Sequence, residues 1–291
     1  MKITPKMEEL VLKVIEDIEK NQKMPWNLPW FRQSLFNWKS KRPYHGINVI
    51  SLAYGLDKTG LKIGQFLTYN QAQKEGAQVK KGSHGFPVSY FSMIETKKEG
   101  ELVKFPLMKT SIVFGIEQVE GITPRETPKR ELTPNQLGEK IISLAGAEIN
   151  ENGATQKSPA YYSPKLDTVS IPSKHLYVSD EAYYSTVFHE LIHWTGNEKR
   201  LKRIKEGQHH GENYAFEELV AEMGASFLAS FIGFAYDTQH SAYLGNWAKM
   251  FKDKKDTLYK ACSQAQKACD YILKNAGLIA KEENKEEEEK A

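Results

Sequence analysis

The chemistry-bearing residues stand closest together at His189-Glu190-Leu191-Ile192-His193. Four residues advance a helix by about 400°, so two histidines at that spacing project from nearly one face, one turn apart. Two such imidazoles can share one Zn²⁺, and Glu190 beside them can act as general base on the water that the metal polarises. The flanking residues predict the helix this motif needs. Ser179 or Asp180 caps it, Asp180 and Glu181 suit its positive end, and Gly196 ends it. Val187, Phe188, Leu191, Ile192 and Trp194 make the segment apolar. In that setting two histidines and a glutamate are costly unless they have partners.

A catalytic zinc takes three protein ligands and keeps one position open. A metzincin would carry its third histidine where this chain has Lys199, and a protonated lysine cannot ligate. The acidic residues of NYAFEELVAEMGASFLASFIGF, 213–234, are the alternative source. Glu218 and Glu222 fall on one helical face among Phe216, Leu219, Val220 and Met223. Glu218 is assigned as third ligand, and Glu222 as an acceptor that orients a ligand histidine. Glu217, about 100° around the helix, is expected to face solvent. His209 and His210 are rival ligands in a loop between Gly207 and Gly211, and His175 reads as a plain loop histidine. A site of this kind hydrolyses a peptide bond, with Tyr161, Tyr162, Tyr183 and Tyr184 available by type as oxyanion donors. The strand at 166–172 is expected to offer an edge to an extended peptide. Mn²⁺ or Ni²⁺ suits the same donors.

A second constellation lies in the front half. Between residues 20 and 48, Trp26, Trp30, Phe31, Phe36, Trp38 and Tyr44 alternate with Lys23, Arg32, Lys39, Lys41 and Arg42. Rings stack on unpaired bases while cations meet phosphates. The glycine-rich turn 79–85 adds Lys80, Lys81 and His84, with backbone N–H groups able to face a phosphate. No helix-turn-helix or zinc-finger pattern appears, so single-stranded nucleic acid fits better than duplex reading. The competing expectation is that these rings are core.

These constellations need elements to hold them. Residues 3–21 carry an apolar stripe of Met7, Leu10, Val11, Val14, Ile15 and Ile18 at helical spacing. Residues 48–55 read as a short helix or strand, and 64–75 as a helix with Thr68 as a cap in its middle. A strand beginning at Pro87 and a strand pair up to Gly121 follow. This gives a small α+β domain over 1–121, a proline-rich linker over 122–136, a second domain over 137–280 and an acidic tail over 281–291. Within the second domain, helices are expected near 137–149, 180–195, 213–233 and 240–275, with one or two short strands in 158–176.

The 291 residues include only two cysteines, which rules out a disulfide scaffold. Charged residues are 26% and apolar ones 40%, which excludes a wholly disordered chain. No apolar run reaches membrane-spanning length, and the first residues lack a secretory pattern, so a cytoplasmic protein with reduced cysteines and no membrane partner is expected. The net charge of +3 conceals a local excess. Residues 20–85 hold 11 basic and 2 acidic side chains, whereas 281–290 hold 3 lysines and 6 glutamates. The positive surface thus belongs to the aromatic-rich half, where a polyanion would be drawn.

Both halves together resemble the ArdC-type antirestriction proteins. The N-terminal likeness lies in PWNLPW at 25–30, KRPYHGIN at 41–48 and VKKGSHGFPVSYF at 79–91. The C-terminal likeness lies in YYSPKLDTVSIP at 161–172, FHELIHWTG at 188–196 and NYAFEELVAEMGASFL at 213–228. The resemblance implies an α+β protein of two domains, an N-terminal one binding single-stranded DNA and a C-terminal zincin-like metallopeptidase. It implies a mobile-element or phage protein that shields incoming DNA from restriction. Metal ligands would be His189 and His193, with Zn²⁺ as cofactor and Glu190 as catalytic residue; the family's acidic motif falls on 217–222 and supports Glu218. A host or DNA-associated protein would be the peptidase substrate. The alternative is a non-catalytic DNA-binding or restriction-inhibiting protein with a structural metal.

Overall fold

The computed structural model describes residues 4–21, 35–98, 101–126, 131–151, 159–204, 211–236, 244–254 and 256–280. At residue 21, over 93–98 and 101–106, and over 244–246, the description is of backbone alone. Apart from short 3₁₀ turns, the first elements are α1 (Pro5–Asn21), β1 (Phe36–Asn37), α2 (Ile47–Thr59), β2 (Gln65–Thr68), α3 (Tyr69–Lys74), β3 (Gln78–Val79), β4 (Phe86–Lys98), β5 (Glu101–Gly115) and β6 (Val119–Glu120). Then come α4 (Pro134–Leu144), β7 (Glu148–Asn150), β8 (Tyr161–Ser163), β9 (Thr168–Ser170), α5 (Asp180–Thr195), α6 (Glu212–Ile232), α7 (Leu244–Asp253) and α8 (Thr257–Asn275). The protein is a mixed α+β structure. No helix among the described residues is long and apolar enough to cross a membrane.

Two compact units emerge: Met1–Arg130 with Gly233–Ser263, and Glu131–Ile232 with Gln264–Ala291. Gly233–Ser263, within the span 137–280 expected for the second domain, groups with the first unit. The apolar stripe of α1 is fully buried, and α7 packs against it, contributing the buried Trp247 and Phe251. The stripe needs a cover, and a late helix supplies it. The single helix expected over 240–275 is likewise two, α7 and α8. Asp256, whose side chain competes with helical backbone bonding, stands directly before α8.

In the first unit a four-stranded sheet has the order β1-β2-β5-β4, with β1 parallel to β2 and the other pairs antiparallel. Phe86 pairs with Val113 at the root of the long β4–β5 hairpin, and Lys98 with Glu101 at its tip. Thr68 is indeed a cap, but of a shorter helix. It ends β2, accepts from the Gln71 backbone N–H and is capped back by the Gln71 side chain, which satisfies two orphan donors of α3. Helix α2 is fastened to the outer strand by side chains. The Asn48 amide donates to the Ser89 carbonyl at 2.8 Å and accepts from the Ser89 N–H at 2.7 Å, while Ser51 donates to the Pro87 carbonyl at 2.6 Å.

The second unit has a three-stranded sheet, β7-β9-β8. β9 lies in the middle, parallel to β7 and antiparallel to β8. The expectation that residues 166–172 present a free edge is therefore overturned: both sides of β9 are already paired. Helices α5 and α6 pack closely because Gly224 removes a side chain from their contact. A Cβ there would lie 2.6 Å from Cδ1 and 2.8 Å from Cγ1 of Ile192, itself fully buried. Replacing Gly224 by alanine gains about 1 kcal/mol of helix propensity but overpacks the contact by about 1–3 kcal/mol. Gly224→Ala should therefore lower the midpoint of chemical unfolding, and an unchanged or raised midpoint would refute the close-contact account.

Candidate functional site

Helix α5 begins at Ser179, whose hydroxyl accepts from the Ala182 N–H at 3.1 Å, and runs to Thr195 with the sequence motif inside it. His189 and His193 project from one face, their Nε2 atoms 3.1 Å apart. Glu218 on α6 reaches both: Oε2 lies 3.6 Å from His189 Nε2, and Oε1 lies 3.4 Å from His193 Nε2. One donor atom from each of these three side chains falls within 4.8 Å of the others. His189, Glu190 and Glu218 are 4%, 8% and 6% exposed, and Glu222 is fully buried.

The electrostatics explain what such a cluster lacks. Glu190, Glu217 and Glu218 all act on His193, and among the described residues Arg203 is the permanent cation paired with one of them, Glu217. Burial works against charge on His193, yet Glu217 and Glu218 outweigh it and push its pKa up to about 10. Burial likewise opposes ionisation of Glu218, but His189 and His193 hold it far below the usual carboxylate range. These carboxylates thus favour positive charge at His193. A divalent cation brings such charge, and two imidazoles plus a carboxylate form a mixed donor set that several such metals accept. The residues present thus fit a cation.

Glu217 departs from expectation. It does not face solvent; its Oε1 lies 3.4 Å from His193 Nδ1. Arg203 grips both of its oxygens, through Nε at 3.1 Å and Nη2 at 2.9 Å. The same guanidinium donates to the Ile192 carbonyl at 2.7 Å and to Thr195 Oγ1 at 3.0 Å, tying the end of α5 to α6. For His193, the adjacent orienting carboxylate is that of Glu217. Burial raises the Glu217 pKa, but His193 and Arg203 override it and leave it lowered. Sequence spacing missed this because Arg203 arrives from the loop after α5, not from either helix.

That loop is itself anchored. Arg200 pairs with Asp167 and donates to the Trp194 carbonyl at 2.7 Å, its guanidinium 4.0 Å from the centre of the Trp194 ring. Tyr162 donates to Asp167 at 2.8 Å and accepts from Asn197 at 2.7 Å. Tyr183 donates to Glu151 and Tyr184 to Glu139, while Tyr161 is exposed. The hydroxyls of Tyr162, Tyr183 and Tyr184 are thus engaged in structural contacts away from the cluster. Tyr177 was overlooked: burial, and secondarily the charge of Glu190, raise its phenol above the ordinary range. His175 is exposed, and His209 and His210 lie outside the described residues.

Of the expected nucleic-acid contacts, Lys23, Trp26, Trp30 and Arg32 also lie outside the described residues. Trp38 is a correction. It is 8% exposed within the cluster of Leu67, Ala72, Val79 and Ile116, its Nε1 donates to the Thr123 carbonyl, and Arg125 covers its ring at 4.3 Å. No base can stack there. Tyr44 is half-buried, edge-on to Phe66 with centroids 6.1 Å apart. Lys39 pairs with Glu75. Lys41, Arg42, Lys80, Lys81 and His84 are exposed, and the Lys80 ammonium donates to the Glu117 carbonyl at 2.9 Å.

Comparison with known proteins now adds the family. Residues 5–123 match the family described as the N-terminal domain of anti-restriction factor ArdC, and residues 136–264 match the zincin-like metallopeptidase family. The metal-free crystal structure of antirestriction ArdC protein from the R388 plasmid superposes with a TM-score of 0.81 at 32% identity, covering 96% of this chain and 100% of that one. This chain belongs to the ArdC antirestriction family. The Mn(II)-bound crystal structure of the same R388 protein gives a TM-score of 0.79 at 31% identity, covering 94% of this chain and 99% of that one. That finding corrects the expectation of zinc, since the metal-bound relative carries manganese. A DNA primase TraC of Escherichia coli is 32% identical over an alignment of 295 positions that covers 92% of this ArdC-family chain but only 20% of the primase.

Two predictions follow from these contacts. Glu217→Gln and Arg203→Ala should each weaken Mn(II) binding about 10- to 100-fold in calorimetric titrations; unchanged affinity in a folded variant would remove Glu217 from its orienting part. Asp167 is lowered to about 2, chiefly by its hydrogen bond from Arg200. A depressed carboxyl stabilises the fold above its unfolded pKa, and that contribution is lost as pH falls through about 2. Asp167 sits at φ 58°, a region asparagine tolerates. Asp167→Asn should therefore lower stability at neutral pH and flatten its decline on acidification; an unaltered acid limb would exclude this ion pair as a cause.

Proposed function

We propose that this protein protects incoming DNA by binding it as single strands through the first unit, while the metal centre of the second unit braces the fold rather than hydrolysing a substrate. The observation that carries the second half is burial. His189, Glu190 and Glu218 are all under a tenth exposed, which restricts the approach of a peptide to the cation, although three protein ligands leave a coordination position open. Exposed Lys41, Arg42, Lys80, Lys81 and His84 support the first half, together with the basic excess over 20–85. His189, His193 and Glu218 would hold the cation, with Glu217 and Arg203 fixing the ring of His193. Buried, unbridged Cys262 and Cys269 suit a reducing cytoplasm.

A second reading is favoured by one feature, the intact Glu190 next to His189. A bound divalent cation would supply Lewis acidity. Glu190 would then take a proton from water, and a host or DNA-associated protein would be the substrate. Glu190→Gln separates the two readings, provided Mn(II) binding is kept. On the bracing account the variant retains the metal-induced rise in Tm and full protection of incoming DNA against restriction. Loss of protection, or of a proteolytic activity seen in wild type, would transfer the function to hydrolysis.

A further inference from the structure

Within the first unit, α1 and α2 flank a cleft of about 380 Å³, inside the range of small-ligand pockets. Its floor is apolar: Pro87 at the start of β4 and Ile112 from β5 are partly exposed there, over the buried Leu10 of α1 and Phe86 of β4. Its rim is cationic, with Lys6 and Lys13 on α1, Lys58 on α2, and His84 from the basic turn. Among the described residues Glu9 is the carboxylate in the lining, with Asp17 beside it on Tyr54 and Lys58.

The local sequence explains this shape. A Cβ on Gly55 would fall 2.3 Å from the Phe86 ring, and one on Gly85 would fall 2.3 Å from Ile112 Cγ2. Gly55 lets α2 settle onto the root of β4, and Gly85 lets the turn before β4 lie against β5, so that the buried ring of Phe86 packs beneath the cleft. Tyr54 stands in the wall with the Lys58 ammonium 5.3 Å from its ring centre. Lys13 pairs with Glu9 at 2.7 Å, and Lys58 pairs with Asp17. All four partners are partly solvent-exposed, so these are weak pairs from which a phosphate can draw the lysines.

We propose that this cleft receives one nucleotide of a single strand, its base on the apolar floor and its flanking phosphates on Lys6, Lys13 and Lys58. The inference rests on the reading of the first unit as a binder of single-stranded DNA, and it names where a base goes. Trp38 is buried and Tyr44 half-buried, and a base bound as a single strand uses an apolar surface beside cations. The cleft has both, and Lys80 and Lys81 extend its charge through the turn that ends at His84 and Gly85.

The test uses the full-length protein and an oligothymidylate of about 20 nucleotides carrying a single 5-iodouracil. Wild type should bind with a steep salt dependence, and irradiation should crosslink the modified base to Tyr54 or a neighbouring residue of the cleft wall. Lys6→Ala combined with Lys58→Ala, both surface changes, should raise Kd roughly tenfold and reduce the salt slope by about one to two. An oligonucleotide with abasic sites throughout should bind more weakly than oligothymidylate. If wild type binds but the double variant keeps its affinity and slope, with crosslinks elsewhere, the cleft is rejected and the DNA-binding reading stands. Equal binding of the abasic strand also rejects it, since only the backbone is then held. Failure of wild type to bind any oligonucleotide overturns both.

Discussion

Burying like charges is expensive, and the second unit is organised around that expense. Several carboxyl groups and two imidazoles are packed between α5 and α6, in a volume where an isolated ion would carry a large desolvation penalty. The helices must approach closely for Glu218 to reach both rings, which Gly224 permits against Ile192. The loop after α5 must return Arg203 to Glu217, which Arg200 and Asp167 secure. Local backbone, packing and ion pairs in this unit therefore serve one condition: net positive charge must enter between the helices. A divalent cation can meet it.

The first unit solves a different problem. Its sheet and helices enclose an ordinary apolar core, and its positive charge stays on turns and helix surfaces. Rings and cations interleaved in sequence were separated by folding: Trp38 went inward with Arg125 over it, whereas Lys41 and Arg42 stayed outside. The same side chain can serve a core or a stacked base, and only tertiary context decides between them.

Periodicity made much of this architecture legible. The α1 stripe, the α5 helix with its cap, and the facing of His189 and His193 follow from spacing alone. So does the orientation of Glu218 and Glu222 toward the interior. What spacing cannot give is the identity of a partner that arrives from elsewhere. Glu217 looked exposed by helical rotation because Arg203, fourteen residues away, was invisible to the helical wheel. The cover over α1 came from α7, beyond the whole second sheet. β9 looked like an available edge because nothing in residues 166–172 reveals that β7 lies alongside. The metal's identity was beyond reach for another reason: nitrogen and oxygen donors in this combination do not select one divalent ion.

Asn48 carries a consequence for how the protein meets its own kind. By answering both backbone groups of Ser89, its amide imitates the next rung of a ladder and occupies the position an incoming strand would take. Stacking of copies along the root of β4 is thereby obstructed, and the outermost strand gains a built-in stop against edge-to-edge aggregation. An aspartate at that position would accept but not donate, and would open that rung to a neighbour.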